Sequence, residues 1–504
     1  MEENKNEPIS ERNERLKKLK TLKEVGLNPY PATSKRSHKI IEVINNFDAN
    51  LNNQTELILA GRIRRLRNHG NLSFVDLEDV SGSLQLAFSK KELGAEKYKL
   101  FVKLIDSADF IETKGQLFLS NQGAKTLMVS DWKILSKAIA PIPDAWFGLK
   151  DEDERYRKRY LDLLLNKDLR DIFLKKALFW EVVRDFMKKN EFIAVETPTL
   201  ETTTGGAEAN PFKTHHDDFD LDVYLRISVG ELWQKRLMAA GFEKVYEIGR
   251  VYRNEGSSPD HLQEFTNLEL YWAYADYNQG MQLTQELFQE LAIKVFGKTQ
   301  FISHGMEYDL AGTWPKIDYQ TEIFNKTGVD VLQANELEIK AKLKELGVKY
   351  EGDNRERLMD TLWKYCRKTI AGPVFLINHP KLVSPLAKAK LDRPELTERF
   401  QVIIAGSEMG NGFSELNDPI DQRERFELQQ KLIEKGDKEA MMPDWEFVEM
   451  LEHGMPPTFG FGFGERLFAF MFNKSVRETT LFPLMKPKIS LENDKKVVKN
   501  KKEV

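Results

Sequence analysis

Charged residues interrupt two apolar segments that alternate as β-strands do, and this constrains the fold more than any other feature of the sequence. The segments EIGRVYRNE and EFTNLELYWAYADY are joined by the polar loop GSSPDHLQ. A period of two places Arg253 and Glu255 on one face of the first strand. Phe265, Glu269 and Tyr271 share one face of the second. Because buried charges are costly unless they are paired, the pattern predicts either a structural Arg–Glu network or a site for a charged ligand, over which the loop could close.

A second segment, TFGFGFGERLFAFMFN, alternates glycine with phenylalanine before a helical pattern begins. Gly460, Gly462 and Gly464 leave one face of the strand without side chains, so a flat ring or a phosphate could approach the backbone. Tight packing of a helix against the strand explains these glycines equally well. Arg466 falls in the first turn of the following helix, where exposed N–H groups favour anions.

A third segment, GSEMGNGFSELND, adds further acids to strand-like, apolar surroundings. Strand spacing places Asn411 and Glu415 on one face, and Gly410 and Gly412 could bend the chain enough to bring Glu408 to the same pocket. With Glu255 and Glu269, these acids suit a cationic substrate, a divalent metal ion, or both.

The patterns along the 504 residues predict an α+β protein with several domains. Five short strand-like segments with glycine-containing turns predict a small Greek-key barrel of the oligonucleotide-binding (OB) type. Longer helical segments then alternate with mainly antiparallel strands. The expected division is an N-terminal helical extension over 1–56, the OB-fold domain over 57–138, a linker over 139–167, the main α+β domain over 168–488 with a helical insertion at about 334–370, and a basic, disordered tail over 489–504.

Composition excludes several other classes of protein. No apolar run approaches the roughly 18 residues of a membrane helix, and the charged N-terminus MEENKNEPIS does not resemble a signal peptide. We therefore expect a chain that begins at Met1, does not bind membranes and stays in the cytoplasm. The single cysteine, Cys366, excludes an internal disulfide and thiolate zinc sites, so a metal ion must take oxygen ligands.

Three segments, in order, resemble the signatures of the class II aminoacyl-tRNA synthetases. Tyr252-Arg253-Asn254-Glu255 followed by His261-Leu-Gln-Glu-Phe265 resembles the second signature, Gly460 to Arg466 the third, and FIAVETP, after a long helical segment, the first. Segments along nearly the whole chain, among them GGAEANPFKTHH, LELYWAYADY and GNGFSELND, are similar to those of the bacterial type of class II lysyl-tRNA synthetase. The resemblance implies an OB-fold anticodon-binding domain before a catalytic domain with an antiparallel β-sheet and helices.

That family activates lysine with ATP and Mg²⁺ to lysyl-adenylate and transfers the lysine to the 3′ end of tRNA(Lys). The paired acids Glu269 and Glu415 are not expected in the related enzymes for aspartate and asparagine. Two alternatives stay open: a class II relative that acts on another amino acid or on a protein, and a non-catalytic tRNA-binding or regulatory paralogue. The barrel argues against protein-modifying relatives, and the joint presence of Arg253, Glu408 and Arg466 argues against a decayed site.

The resemblance also implies roles for individual residues. Arg253 would hold the ATP α-phosphate and the substrate carboxylate during attack. Phe265 and the second catalytic residue, Arg466, would stack on the adenine ring, and Glu255 would contact its edge. His261 and Arg466 would lie near the terminal phosphates. Glu408 would contact the nucleotide through magnesium. The implied lysine contacts are Glu269, Glu415 and Tyr271 with the ε-ammonium group, Glu231 and the Gly205-Gly206 backbone with the α-amino group, and Asn411 beside Glu415.

In the barrel, the resemblance implies that Arg67, Phe74 and Gln85 contact anticodon bases by stacking and hydrogen bonding. Leu72 and Phe74 have the same parity in NLSFVDLED, as residues of a buried face would. Phe74 is therefore expected either to stack on a base or to belong to the barrel core.

The sequence departs from the family pattern at four places. Asp260 occupies the position at which the family has an arginine that contacts an ATP phosphate. Ala124 occupies the position at which the family is expected to have an acidic residue that contacts the anticodon. Gln401 replaces a carboxylate that shares magnesium with the residue matching Glu408, so metal binding is expected of Glu408. The segment ISVGELW is one residue longer than the family's segment around Glu231.

The long helix that precedes the first signature predicts a homodimer. Phe173, Leu174, Ala177, Leu178 and Val182 give it more apolar surface than one face needs. The family forms a two-fold dimer through this helix, and the resemblance implies that the partner subunit supports each active site.

Overall fold

The computed structural model describes residues 11–143, 149, 151–207, 209–256, 258–350, 352, 354–436 and 440–487. The chain divides into two compact units, residues 1–150 and 151–504. The basic tail predicted over 489–504 lies outside the described residues, as do residues 144–148 and 150 of the predicted linker.

The first unit is built on a closed five-stranded barrel, which confirms the predicted OB fold. Its strands follow the order β1-β2-β3-β5-β4, and every neighbouring pair is antiparallel except β3 and β5. The elements of this unit are α1 (Glu11–Glu24), α2 (Ile40–Asn45), α3 (Phe47–Asn52), β1 (Leu57–His69), β2 (Leu72–Glu78), β3 (Ser83–Ser89), α4 (Lys90–Leu93), α5 (Ala95–Leu104), β4 (Phe110–Leu119) and β5 (Lys125–Ser136).

Alternation along β2 decides where Phe74 lies. Ser73, Val75 and Leu77 are buried and face the barrel interior, whereas Phe74 is half-buried on the outer face. The barrel core is filled instead by side chains such as Phe88, which stacks on Phe101 of α5 at a centroid separation of 3.8 Å. The expectation that Phe74 belongs to the core is therefore wrong, because the period of two assigns the interior to the odd positions.

The second unit is built on an eight-stranded sheet in the order β14-β15-β16-β17-β18-β11-β10-β6. Its neighbours are antiparallel except for β14–β15 and β10–β6, which confirms the mainly antiparallel α+β architecture. Smaller sheets join β12 to β13 and order β7-β9-β8.

The strands of the second unit are β6 (Ile193–Ala194), β7 (Leu200–Glu201), β8 (Lys213–His216), β9 (Leu221–Leu225), β10 (Lys244–Tyr252), β11 (Glu264–Ala273), β12 (Gln300–Ser303), β13 (Met306–Asp309), β14 (Lys316–Asp318), β15 (Val374–Ile377), β16 (Arg399–Ile404), β17 (Ser407–Ser414) and β18 (Thr458–Gly464). Its helices are α6 (Glu152–Arg157), α7 (Arg159–Leu165), α8 (Lys167–Lys189), α9 (Glu231–Ala239), α10 (Tyr277–Leu291), α11 (Tyr319–Thr327), α12 (Glu336–Glu345), α13 (Arg355–Cys366), α14 (Pro419–Glu434), α15 (Trp445–Glu452) and α16 (Arg466–Met471).

The phenylalanines of β18 anchor the main core of this unit. Phe463 lies edge-on to Phe179 of α8 and to Phe288 of α10, at centroid separations of 6.3 and 5.4 Å. Phe459 and Phe461 are buried in the same cluster. Beyond Thr458, the opposite face of β18 carries only glycine, so the sheet has one face packed under helices and one face free to form a cavity.

Two details of the sequence-based prediction need correction. Strand β10 ends at Tyr252, so Arg253 and Glu255 lie in the loop beyond the strand and not on one strand face. Val182 of α8 is 4% exposed and packs into the core of its own unit, so it does not contribute to an outward apolar surface. Among the described residues, no helix has the length and apolar character needed to cross a membrane.

Candidate active site

A cavity of about 550 Å³ lies over the glycine face of the large sheet. Strands β11, β17 and β18 form its floor, and the loop between β10 and β11 and the first turn of α9 form parts of its wall. Gly205 does not line it, but the cavity brings together the other twelve residues predicted for the catalytic unit: Gly206, Glu231, Arg253, Glu255, His261, Phe265, Glu269, Tyr271, Glu408, Asn411, Glu415 and Arg466.

One end of the cavity is acidic. Glu269 is buried in the middle of β11, and its Oε1 accepts hydrogen bonds from the Val229 backbone N–H at 2.7 Å and from Asn267 Nδ2 at 3.3 Å. The Tyr271 hydroxyl donates to its Oε2 at 3.3 Å. Burial, together with the nearby Glu231 carboxylate, raises the pKa of Glu269. This end of the cavity would therefore be stabilised by a cationic ligand.

Glu231 and Glu415 share a buried lysine that the sequence analysis did not single out. Lys235 Nζ lies 2.8 Å from Glu231 Oε1 and 2.6 Å from Glu415 Oε2. Burial raises the pKa of Glu415, and the charge of Lys235 opposes that rise. The one available signal in the sequence was the spacing of Glu231 and Lys235, which are one helical turn apart and so meet on one face of α9.

The glycines of β18 make room for these acids. A Cβ atom at Gly460 would overlap Glu415 Oε1 and lie 2.7 Å from Tyr271 Cε1. A Cβ atom at Gly462 would lie 3.1 Å from Glu269 Cγ. Helix–strand packing does not explain Gly460 and Gly462, because both glycines line the cavity and the atoms nearest to them belong to the side chains of Glu415, Tyr271 and Glu269.

Gly206 has a different constraint, because its φ of +91° is a conformation that residues with a Cβ atom rarely adopt. A Cβ atom there would also lie 2.7 Å from Glu231 Cβ and 2.7 Å from Ser228 Oγ. Glu231 is the first residue of α9 and is 7% exposed, so the longer segment around it still delivers this carboxylate to the cavity wall.

The other end of the cavity carries cationic and aromatic groups. The Arg253 guanidinium carbon lies 5.4 Å from the centroid of Phe265, and Arg253 Nε and Nη2 donate to the Ile227 carbonyl at 3.3 Å each. Arg466 begins α16 beside them. His261 lies at the exposed rim, where its Nδ1 is 2.7 Å from Ser258 Oγ. Such a combination suits a phosphorylated aromatic ligand.

A bulge in β17 turns Glu408 toward the cavity. Val402 pairs with Gly410 but Ile403 pairs with Glu408, so one extra residue is accommodated between them. The bend anticipated in the sequence analysis is therefore present. Gln401 Nε2 donates to Glu408 Oε2 at 2.9 Å, and Arg367 Nη1 lies 3.7 Å from the same oxygen.

These groups supply few ligands for a metal ion. Within the described ranges, no three His, Cys, Asp or Glu side chains converge as a metal site. The buried Gln401 Oε1 has no hydrogen-bond partner, and the Glu408 side chain is 31% exposed. This donor set fits a magnesium ion that takes most of its ligands from a phosphorylated substrate and water.

The helical insertion contributes a wall that the sequence analysis did not predict. Asp360, Trp363 and Lys364 of α13 line the cavity, with Arg367 just beyond the helix. Their spacing of three and four residues gives one helix face, but the sequence holds no signal that directs this face toward the sheet.

A second group of predicted residues lies on the outer surface of the barrel. Arg67 of β1 is the cross-strand partner of Phe74, and Asp76 is that of Gln85. Arg67 Nη2 also donates to Asp76 Oδ1 at 3.3 Å. A guanidinium, an aromatic ring and an amide thus share one half-exposed face, which is the combination that binds unstacked nucleic-acid bases. Ala124 is exposed in the turn before β5.

Comparison with known proteins agrees with this geometry. A family model described as tRNA synthetases class II (D, K and N) matches residues 151–486, and one described as an OB-fold nucleic acid binding domain matches residues 57–135. The lysine–tRNA ligase of Thermotoga maritima is 42% identical over 481 residues, covering 94% of this chain and 96% of the relative. That of Carboxydothermus hydrogenoformans is 42% identical over 479 residues, with 94% and 97% covered. That of Thermosipho africanus is 40% identical over 490 residues, with 96% and 97% covered.

The packing at Gly460 makes a testable prediction. Gly460→Ala should displace the Glu415 carboxylate and weaken the binding of lysine by about tenfold or more, since an off-position buried charge loses its pairing. Isothermal titration calorimetry with lysine measures this directly. The control is Gly82→Ala in the barrel, where the nearest atom would lie 3.7 Å from the new Cβ atom. Unchanged lysine affinity in Gly460→Ala would contradict a role for the Glu415 carboxylate in binding a cationic ligand.

Proposed function

This chain belongs to the class II (D, K and N) tRNA synthetases and, within them, to the lysine–tRNA ligases, and we propose that the cavity of its second unit is where lysine is activated. Lysine and ATP would react there to form lysyl-adenylate and pyrophosphate. The lysine would then be transferred to the 3′ end of tRNA(Lys). The observation that carries the proposal is the pair of buried acids, Glu269 and Glu415, at one end of a cavity whose other end holds Arg253 and Arg466.

The chain's own residues account for the substrate orientation that this reaction needs. The ε-ammonium group of lysine would lie between Glu269 and Glu415, against the ring of Tyr271. Its α-ammonium group would meet Glu231 near Gly206, with Asn411 on the adjacent strand. The carboxylate would then face Arg253, which supports attack on the α-phosphorus by neutralising charge on the carboxylate and the phosphate.

The nucleotide would occupy the end of the cavity that holds Phe265 and Arg466. Phe265 and the Arg466 guanidinium provide two faces between which an adenine ring can stack. His261, at the rim, and Arg466 are available to the terminal phosphates, and Glu255 to the adenine edge or the loop. No enzyme nucleophile is required, because the lysine carboxylate attacks phosphorus directly and the tRNA hydroxyl later attacks the carbonyl of the adenylate.

Amino-acid-dependent ATP–pyrophosphate exchange tests this function. Across all twenty amino acids, exchange should be fastest with lysine. Glu415→Gln should lower kcat/KM for lysine by two orders of magnitude or more, since removing one member of a buried charged pair costs about 3 to 5 kcal/mol. A control is Glu434→Gln on α14, because its carboxylate is exposed and does not line the cavity. Exchange with another amino acid in place of lysine, or an unchanged Glu415→Gln variant, would contradict the proposal.

We also propose that magnesium accompanies ATP and is held on the protein by Glu408. The ion would neutralise phosphate charge when it is bound. Gln401, hydrogen-bonded to Glu408, supplies an amide where a second carboxylate would bind the ion more strongly.

The Gln401→Glu variant tests this arrangement. The variant should need less free magnesium for half-maximal exchange than the unchanged chain, by about threefold or more, because hard cations prefer carboxylate ligands. The measurement is a magnesium titration at fixed ATP, with Gln116→Glu in the barrel as the control. If the magnesium titrations of the unchanged chain and of Gln401→Glu superimpose, residue 401 has no role in binding magnesium.

The outer face of the barrel is proposed to bind the tRNA anticodon. Arg67, Phe74 and Gln85 lie on neighbouring strands, so one single-stranded segment could contact all three. The half-exposed ring of Phe74 supports stacking on a base, and the exposed position of Ala124 leaves no acidic contact there.

Phe74→Ala should raise KM for tRNA, or lower kcat/KM, by tenfold or more, because a stacked base contributes about 1 to 3 kcal/mol. Lysine-dependent pyrophosphate exchange and the melting temperature should change little, since Phe74 is outside the core. Leu119→Ala is a matched control, because this leucine is also an exposed apolar residue of the barrel. A large loss of stability with unaltered tRNA kinetics would contradict anticodon stacking.

A homodimer is the proposed assembly. Leu174 and Leu178 of α8 are 60% and 37% exposed, and Ala177 between them is exposed as well, so they form an apolar stripe at helical spacing. Ile193, within the first signature, and Leu200, just after it, are also half exposed. A two-fold partner would cover these side chains.

Leu174→Glu should therefore convert the dimer into monomers, because a charge would be buried at the interface. Light scattering at micromolar concentration measures the mass of each form. Leu428→Glu on α14 is the control, since Leu428 is exposed to a similar extent. An unmodified chain that is monomeric and active would contradict the dimer.

A cytoplasmic location is proposed with the function, because translation supplies its substrate tRNA. The single cysteine, Cys366, is buried and unpaired in α13, which suits a reducing compartment.

A further inference from the structure

Lys235 is the one cation in direct contact with the buried acids at the lysine end of the cavity, within the part of the chain that the structure describes. It lies on α9 and is 1% exposed. The rings of Tyr271, Phe413 and Phe447 surround its ammonium group, with centroids 5.9, 5.4 and 5.7 Å from Nζ. Lys235 does not itself line the cavity, whereas both acids that it contacts do. It is therefore placed behind the carboxylates and does not compete for the space of a ligand.

Each of the two acids places one oxygen against Lys235 and the other beside a glycine that lines the cavity. Glu231 Oε1 contacts Lys235, and its Oε2 lies next to the cavity-lining Gly206. Glu415 Oε2 contacts Lys235, and its buried Oε1, without a hydrogen-bond partner, lies next to the cavity-lining Gly460. The ammonium group thus fixes both carboxylates in orientation and in separation while leaving one oxygen of each for a ligand.

The charges at this end match a ligand with two ammonium groups. Glu231, Glu269 and Glu415 carry three negative charges when ionised, and Lys235 carries one positive charge, which leaves two negative charges uncompensated. The α- and ε-ammonium groups of lysine bring two positive charges. Without Lys235, a third buried carboxylate would be left without a cation, and like charges at close range disfavour ionisation of the group.

We propose that Lys235 is a positioning residue that determines specificity, because one fixed ammonium group sets the distance between the carboxylates that read the two ends of the substrate. It selects a diammonium ligand with the length of lysine over shorter homologues such as ornithine. The inference rests on the proposed function, in which Glu231 and Glu415 bind the α- and ε-ammonium groups.

Lys235→Met tests the proposal, because methionine fills a similar volume without charge. In pyrophosphate exchange we expect KM for lysine to rise by about tenfold or more, KM for ATP to stay within about threefold, and the preference for lysine over ornithine in kcat/KM to fall by about fivefold or more. A structural role alone would lower the fraction of active enzyme and the melting temperature but would leave this preference unchanged.

Lys137→Met is a matched control. Lys137 is equally buried in the barrel, and its Nζ lies 2.5 Å from Asp106 and 2.8 Å from Asp109. Its loss should affect stability but not the preference between lysine and ornithine. The double variant Lys235→Met with Glu415→Gln gives a further readout, since the effect of Glu415→Gln on lysine KM should be smaller when Lys235 is already absent.

If Lys235→Met does not fold, Lys235→Arg decides the question. Arginine keeps the charge, but its planar fork holds two carboxylates at a different spacing, so the preference for lysine over ornithine should fall while the melting transition is retained. An unchanged preference in whichever variant folds would overturn the inference. Absence of lysine-dependent exchange in the unmodified chain would instead contradict the proposed function, so the two failures are distinguishable.

Discussion

Buried negative charge is the constraint on which the arrangement of the second unit depends. Glu231, Glu269 and Glu415 are between 1% and 7% exposed, and the effective cost of taking an ion out of water is several kcal/mol. The protein meets this cost with fixed groups: a lysine shared by two of the acids, and a backbone N–H, an amide and a hydroxyl at the third. The protein's own groups neutralise only part of this negative charge. A cation bound in the cavity would neutralise the rest.

The alternation of β18 follows from the same constraint. Its phenylalanines pack beneath α8 and α10 and hold the strand in the sheet, whereas its glycines leave space for the acids of β11 and for Glu415. A side chain at Gly460 would occupy the position of the Glu415 carboxylate. One strand therefore anchors the core with one face and makes the site possible with the other, which explains why large and absent side chains alternate there.

Local patterns in the sequence predicted the barrel, the mainly antiparallel sheet and the shared face of Phe265, Glu269 and Tyr271, because a period of two depends only on neighbouring residues. Prediction failed where tertiary context decides. Strand β10 ends at Tyr252, so Arg253 lies beyond the strand. Val182 packs within its own unit, although it follows the exposed Leu174 and Leu178 at helical spacing. Lys235 and the wall formed by α13 were not predicted, because a lysine or an amphipathic helix in a sequence does not show what it will pack against. For Phe74, parity alone left two readings, and only the placement of Val75 and Leu77 in the interior distinguishes them.

One part of the cavity wall holds buried acids and another part holds arginines, and in the proposed reaction this difference orients the substrate. Glu269 and Glu415 line the cavity together with Arg253 and Arg466, and the Glu408 carboxylate lies near both arginines. A free amino acid has its carboxylate at one end, and lysine has an ammonium group at its far end. In a field of this direction, lysine has one favourable orientation, in which its carboxylate faces the arginines and the nucleotide phosphates. An uncharged side chain of the same length would gain nothing from the acids and would leave them uncompensated. Selection of the amino acid and alignment of its carboxylate for attack therefore arise from the same separation of charge, before any bond is made or broken.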